Sequence, residues 1–489
     1  MAYDPIEALR AMELGKSVAE QDDELDRYFI ETEAFRALIE GRADVIAGDK
    51  GTGKSAIYRM LQQNYREYPE IADLEVISAF NPTGSPVFQR LAAGEVYSEA
   101  VYRTIWKSYF LSLVGNWLID IFGSSYSSEV RRLASILEAL GLEDQKVDPR
   151  GMFSFISDFF RKISNPKMAE VEFSITETGM PIVKPSVSFD GKIEGQDAVY
   201  CDDFLQALED ALASCEIRIW LLIDRLDEAF VGFPDVETPA LRALLRAYLD
   251  FGGFKALKLK LFLRRDLFRR VTAGGFVNLS HVNAMRVDIE WNDDDLVAML
   301  EKRLANSGAF LGVIGWDSSA GQSLFSRIFP DQIDVGDRKP SARNWIMTRI
   351  QDGKGIRPPR NLLDLAIKAR ENQIRREQRK TRGPIDCRTP LIEADSVRDG
   401  QKQLSQIRVD DTLLAEAGPL AAHISKFKDG KSEHSLETAL DVLGVAEEDG
   451  KIIVAALVEM GFLEELKETY KIPMLFREGL NITQGKAFS

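Results

Sequence analysis

The sequence predicts an α/β protein built on a parallel sheet with helices on both faces, and three observations carry that expectation. A short apolar run, "ADVIAG" (43–48), ends in a glycine-rich turn and passes straight into the helical period of "KSAIYRMLQQNY" (54–65). Two further runs, "IRIWLLID" (217–224) and "LKLKLFLR" (257–264), are rich in apolar residues and flank the helical pattern "ALRALLRAYLDF" (240–251). Alternating strands and helices with largely apolar strands belong to a sheet covered on both sides. From "VDIEWNDDDLVAMLEKRLANSG" (287–308) onward the pattern turns helical, which separates a second part of the chain from the sheet.

Before the first strand, a charged N-terminal helix leads into "YFIETEAFRALIEGR", where Phe29, Phe35 and Leu38 recur near helical spacing. A second strand, "LEVISAF" (74–80), is closed by the turn Asn81-Pro82-Thr83-Gly84. The long pattern "EAVYRTIWKSYFLSLVGNWLIDIF" (99–122) reads as a helix dense in large apolar side chains. Residues 123–200 read as an insertion in the core: an amphipathic helix in "SSEVRRLASILEALGLEDQ", then alternation of Val171, Phe173 and Ile175 and of Val187 and Phe189 across Gly179-Met180-Pro181, as in a hairpin. Helix "DDFLQALEDALASC" (202–215) returns to the sheet pattern.

In the second part, Asn292 or Asp293 caps a helix carrying Leu296, Met299 and Leu300. Past the linker-like "TRGPIDCRTP", residues 405–489 read as three helices, "LLAEAGPLAAHISKF", "HSLETALDVLG" and "EDGKIIVAALVEMG", followed by short strands in "FLEEL" and "YKIPMLF" around a charged turn. Three helices and a hairpin make a winged-helix shape. The expected domains are therefore a core at 1–290, a helical lid at 291–390 and a winged helix at 405–489.

With 489 residues, 45% hydrophobic and 28% charged, the chain has ordinary globular usage for about three domains. Its net charge of −15 excludes a generic polyanion binder. Cys201, Cys215 and Cys387 form no metal-binding spacing and suit a reducing compartment. The N-terminus is acidic and without an apolar stretch, unlike a signal peptide, and no apolar run approaches the roughly 20 residues of a membrane helix. A cytoplasmic protein with no membrane partner is expected.

The chemistry concentrates in Gly48-Asp49-Lys50-Gly51-Thr52-Gly53-Lys54-Ser55, which fits G-x-x-x-x-G-K-[ST] between a strand and a helix. Gly48, Gly51 and Gly53 let backbone N–H groups turn towards phosphate oxygens where a Cβ would obstruct. Thr52 and Ala56 complete the loop's contact set. Lys54 would neutralise the β- and γ-phosphates of ATP, and the Ser55 hydroxyl would bind Mg²⁺. The stretch "IWLLIDRLDEAF" delivers Asp224 from an apolar strand to the carboxyl edge of the sheet, with Asp227 and Glu228 one turn later. Asp224 is assigned to Mg²⁺, and Asp227 or Glu228 to polarising the attacking water. In "FLRRD", Arg264 and Arg265 end the next strand beside the same edge. They would contact the γ-phosphate or be offered to a neighbouring subunit, with a salt bridge to the acids as the rival role. In "IRPPRNLLDLAIKAR", Arg360 stands at a helix start, where a cation opposes the macrodipole and calls for an anionic partner such as nucleotide phosphate.

These elements, "GDKGTGKS", "LLIDRLDE", the arginines after the next strand, a helical lid and a C-terminal winged helix, resemble the bacterial AAA+/STAND-type P-loop ATPases. The D-x-x-D-E form resembles the NACHT-like branch, while the layout with an arginine near a lid-helix start also resembles origin-recognition-type initiators. "RPPRN" departs from the "RPR" form by one proline, which puts the register of Arg360 in question. The resemblance implies an ASCE/AAA+-like fold and a nucleotide-driven switch or assembly that self-oligomerises or acts on a protein effector, as found in anti-phage defence systems; the alternative is a DNA-binding initiator or loader. Charge bears on the choice. Residues 408–489 hold nine Lys/Arg against 15 Asp/Glu, or −6, and the helix in recognition position has one lysine and four acids, which suits a protein partner better than DNA. Residues 336–388 hold 15 Lys/Arg against six Asp/Glu, or +9, so that the basic segment 338–388, with "KARENQIRREQRKTRG" at its centre, is where nucleic acid would bind if it binds at all.

Overall fold

A computed structural model describes residues 2–80, 98–139, 142–143, 173–175, 181–183, 201–226, 234–317, 323–380 and 382–488. They form two compact units. One takes Glu31–Gly48 and Lys54–Ile289, the other Met1–Ile30, Asp49–Gly53 and Glu290–Ser489. We call them the sheet unit and the helical unit.

The strands of the sheet unit are β1 (Val45–Gly48), β2 (Glu75–Phe80), a short pair β3 (Phe173–Ile175) and β4 (Pro181–Val183), then β5 (Ile219–Ile223), β6 (Leu257–Arg264) and β7 (Arg286–Asp288). Five of them form one parallel sheet in the order β2-β5-β6-β1-β7. Strands β1 and β5 are buried throughout, as the apolar runs require of a sheet covered on both faces. The strand leading into the phosphate loop and the strand leading to Asp224 are thus not neighbours, because β6 pairs with both. This is the predicted α/β fold, a P-loop NTPase core of ASCE/AAA+-like order. The hairpin expected in the insertion forms between β3 and β4, with Phe173 opposite Val183. Val187 and Phe189 lie outside the described residues.

Helix Glu99–Phe122 supplies the largest part of this unit's core, with Trp106, Tyr109 and Phe110 fully buried and Trp106 Nε1 donating to the carbonyl of Ala240 at 2.9 Å. Each such aromatic removes enough apolar surface to contribute about 2–3 kcal/mol. One fully buried charged side chain interrupts the apolar pattern of β6. Lys260, 1% exposed, donates to Asp44 at 2.6 Å and to the carbonyl of Ala43, and lies 3.9 Å from the ring centroid of Trp220. Burial holds its ammonium below the usual lysine range, against the pull of the Asp44 carboxylate, which also accepts from Tyr248 at 3.1 Å.

In the helical unit, Asn292 rather than Asp293 is the cap of helix Asp293–Asn306: its side chain accepts from the N–H of Asp295, whose carboxylate accepts in return. Residues 1–30, expected with the core, belong here because helix Pro5–Ala11 seats Ala8 and Leu9 in one apolar cluster with Leu300 and Phe310, and Tyr3 pairs its backbone with Ile385. Helices Pro359–Arg379 and Ala394–Arg408 run side by side, close enough that a Cβ on Gly400 would stand 2.8 Å from the backbone nitrogen of Ala369. The last stretch adds β8 (Lys431–Ser435), β9 (Glu464–Glu465), β10 (Thr469–Lys471) and β11 (Thr483–Lys486), in the order β11-β8-β10-β9. Strands β9 and β10 form the expected hairpin, whereas β8 takes residues that the pattern assigned partly to a helix. Residues 405–489 share their apolar cluster with 290–404, so the two stretches form one packed body.

Candidate functional site

The phosphate loop starts where β1 ends. Gly48 stays in the strand, beside Arg264 of β6. Gly51 (φ 77°) and Gly53 (φ 106°) take the left-handed conformations that L side chains rarely adopt, so these two of the three glycines are required by backbone geometry, whereas Gly48 keeps the conformation of the strand. Within the sheet unit, Lys54 opens helix Lys54–Asn64 and folds its Nζ back onto the carbonyl of Gly48 at 2.7 Å; Ser55 and Ala56 follow in the first turn.

Asp224 directly follows β5 and is 3% exposed. Burial, together with the nearby Asp224 charge, pushes the phenol of Tyr58 up to about 12, which places the helix after the phosphate loop against this carboxylate. Ser55 and Asp224 thus come from the two elements that would hold Mg²⁺. A two-ligand protein set suits that ion, which keeps several waters and takes phosphate oxygens. Among the described residues no group of three or more His, Cys, Asp or Glu stands at metal-binding spacing. Asp227 and Glu228 lie outside the described residues.

Arg264 donates to Asp266 at 3.0 Å, and Arg265 lies 3.4 Å from Asp288 and donates to the carbonyl of Ile289. Burial alone would raise the Asp266 carboxyl, but the Arg264 guanidinium and the Leu267 N–H hold it below the usual carboxylate range. Both arginines therefore have carboxylate partners, from the first residues after β6 and from β7, beyond the set the sequence offered them.

Within the helical unit, which includes residues 49–53, several side chains converge on the loop. Pro358 is extended at the N-cap and Pro359 is the first residue of helix Pro359–Arg379, so Arg360 falls in its first turn. A Cβ built on Gly51 would stand 3.3 Å from the Cβ atoms of both Arg360 and Pro358. The extra proline in "RPPRN" therefore leaves Arg360 over the loop, where its Nε donates to the carbonyl of Ser17 at 3.4 Å. Four further contacts were not legible in the sequence. Trp291 Nε1 donates to the carbonyl of Thr52 at 2.8 Å, Lys50 pairs with Glu416, Lys354 lies 3.7 Å from Asp49, and Asp352 braces the turn carrying Lys354 by accepting from the N–H groups of Lys354 and Ile356 at 2.9 and 3.0 Å. Burial pushes the Asp352 carboxyl up to about 6, the two backbone N–H groups and Lys354 pulling it down and Asp49 adding to the rise. Such partners carry no local sequence motif. Only the paired acid and base types around the loop hinted at them.

No known family model matches the chain. A curated protein that it resembles is the putative transposon gamma-delta 80.3 kDa protein of Escherichia coli (strain K12), 22% identical over 300 residues, which are 59% of this chain and 39% of that protein. The chain thus spans about two fifths of that relative. Solved structures similar to it are the Aeropyrum pernix ORC1 protein in complex with DNA (11% identity, 95% of this chain and 96% of that one, TM-score 0.36), the Aeropyrum pernix ORC2 protein in its ADPNP and ADP complexes (12%, 94% and 97%, TM-score 0.41) and Cdc6p from Pyrobaculum aerophilum (12%, 94% and 99%, TM-score 0.29). At these scores, the assignment of the fold rests on the order of the sheet and on the loop that its strands present.

Proposed function

We propose that the chain is a P-loop ATPase of AAA+ type, binding and hydrolysing ATP with Mg²⁺. The observation that carries the reading is the loop itself: left-handed Gly51 and Gly53, the amine of Lys54 folded onto the strand end, and the buried Asp224 carboxylate beside the helix that Lys54 opens. Phosphate arriving at the loop would take Lys54 from the Gly48 carbonyl, exchanging a neutral acceptor for an anionic one and so adding ion pairing to the hydrogen bond. Ser55 and Asp224 would hold Mg²⁺, which when bound supplies neutralising charge on the phosphates. Glu228, or Asp227 beside it, would orient the attacking water. Arg360 would add a cation from the first turn of its helix, and a lid role for 291–390 and a winged-helix role for the C-terminal stretch fit the same scheme.

For the use of the nucleotide, the initiator- or loader-type alternative has a specific observation in its favour: helix Pro359–Arg379, within the basic segment 338–388, leaves Arg375 and Arg379 exposed. The ATPase reading is tested by nucleotide binding and phosphate release. Wild-type protein is expected to turn over ATP only with Mg²⁺, and Lys54→Ala and Asp224→Asn to lose roughly 10²- to 10³-fold in rate. Equal turnover by Lys54→Ala, or no binding by the wild type, would sink the reading.

A further inference from the structure

A cleft of about 510 Å³ opens between helices Pro359–Arg379 and Ala394–Arg408, lined by Asn372, Arg375, Arg376, Arg379, Lys402 and Gln403, with Asp399 as its single acid. Three arginines and one lysine against one aspartate leave it at +3 in a chain of −15. The two helices are antiparallel here: Gly400 lies against Ala369, Ser396 donates to Gln373 at 2.7 Å, and Arg376 to Asp395 at 3.0 Å. The small residue at the crossing lets the backbones approach, and the long side chains on either side then form the walls.

Two features separate this cleft from a solvated charged face. Its floor is a reciprocal amide pair, Asn372 Nδ2 donating to Gln403 at 3.2 Å and Gln403 Nε2 donating back at 3.4 Å. Each amide keeps a second N–H, so neutral donors lie among the cations. The cations are also graded. Arg376 is tied to Asp395, and Arg375 lies 4.0 Å from Glu371, while Arg375, Arg379 and Lys402 are all exposed to an incoming anion. From residue 372 to 379 the wall extends roughly 10 Å at about 1.5 Å per residue. The three exposed cations of the cleft can neutralise about three phosphates of one nucleic-acid strand.

We propose that this cleft binds the phosphodiester backbone of a nucleic-acid strand. The proposal rests on the initiator- or loader-type reading and gives it a location: nucleic acid is held by the paired helices, not by the acidic C-terminal stretch. Arginine forks take phosphate and carboxylate alike, and it is the regular row of cations and amide donors along one helix face that favours evenly spaced phosphates over the irregular carboxylates of an acidic peptide. No base edge is read, so binding is independent of sequence and depends steeply on salt.

The test is fluorescence anisotropy of the full chain, without nucleotide, on labelled random-sequence DNA, single-stranded and duplex, between about 50 and 200 mM salt. Neutralising about three phosphates predicts a 20- to 40-fold loss of affinity across that range. Arg375→Ala with Arg379→Ala and Lys402→Ala, all exposed positions, is expected to flatten the salt slope by about two. The pair Arg131→Ala and Arg132→Ala, on helix Ser128–Ala139, serves as the control and is expected to leave the slope unchanged. If the wild type binds and the triple variant binds with the same slope, the cleft is overturned while the loader reading stands. If the wild type binds no DNA at the lowest salt, both fall. If poly-glutamate competes as well as DNA at equal charge, the cleft belongs to an acidic protein partner and the proposal is overturned.

Discussion

Asp352→Asn is expected to stabilise the protein near neutral pH and to do nothing for it in acid. The buried carboxyl keeps its proton up to about pH 6, against 3.8 for the free group. Its folded value is raised, so between roughly pH 4 and 6 the folded state binds more protons than the unfolded one, and stability falls as pH rises through that window. Above it, the full cost of an ionised Asp352 is present. A rise from 3.8 to about 6 at about 1.4 kcal/mol per unit gives about 3 kcal/mol as the upper figure. Asparagine can still accept from the N–H groups of Lys354 and Ile356, which removes the charge while keeping the two bonds that shape the turn. Against this stands Lys354, which faces Asp49 as well as Asp352 and loses part of its counter-charge. The net expectation is about 1–3 kcal/mol, read as a rise of several degrees in Tm by calorimetry at about pH 7.5 that shrinks to nothing near pH 4. A variant no more stable than wild type at neutral pH, or an advantage that persists in acid, would refute the reasoning.

Other expectations follow from contacts equally specific. Gly51→Ala should cost about 1–2 kcal/mol, because alanine is strained at φ 77° and its methyl meets Arg360 and Pro358; thermal melts and nucleotide affinity should fall together. Asp44→Ala should cost about 3–5 kcal/mol in denaturant unfolding, since it leaves the Lys260 ammonium buried without its carboxylate. Removing both charges, with Lys260→Met added to Asp44→Leu, should recover most of that loss. A double variant as unstable as the single one would show that the pair is not the cause.

Much of the site was legible because its chemistry is local. A glycine needed at positive φ, a lysine opening a helix and a carboxylate after five apolar residues are constraints within one strand, turn or helix, and Gly51, Gly53, Lys54 and Asp224 take those local positions. Arg264 and Arg265 were placed at the right strand end, but their carboxylate partners Asp266 and Asp288 depend on the turn after β6 and on the pairing of β7, and no spacing rule supplies those. Lys260 was the sharpest misfit with a simple apolar strand. Its burial makes sense only once Asp44, Trp220 and Tyr248 surround it.

The sequence by itself determined four strands of the parallel sheet, the glycine-rich loop and the helical character of the second half, since hydrophobic period and glycine geometry act over a few residues; β7 and the order of the strands came only with the tertiary structure. Tertiary structure alone decided that residues 1–30 and 405–489 pack with the helices of 290–404, and that Arg360, Trp291, Lys354 and Glu416 meet the loop. The cleft between Pro359–Arg379 and Ala394–Arg408 is of the same kind. The basic character of residues 336–388 was plain in the chain, but only the close crossing at Gly400 turns two helix faces into a groove with Lys402 on its far wall. Contacts between residues tens or hundreds of positions apart are set by which apolar faces share a core, and that is a property of the whole packing rather than of any stretch of sequence.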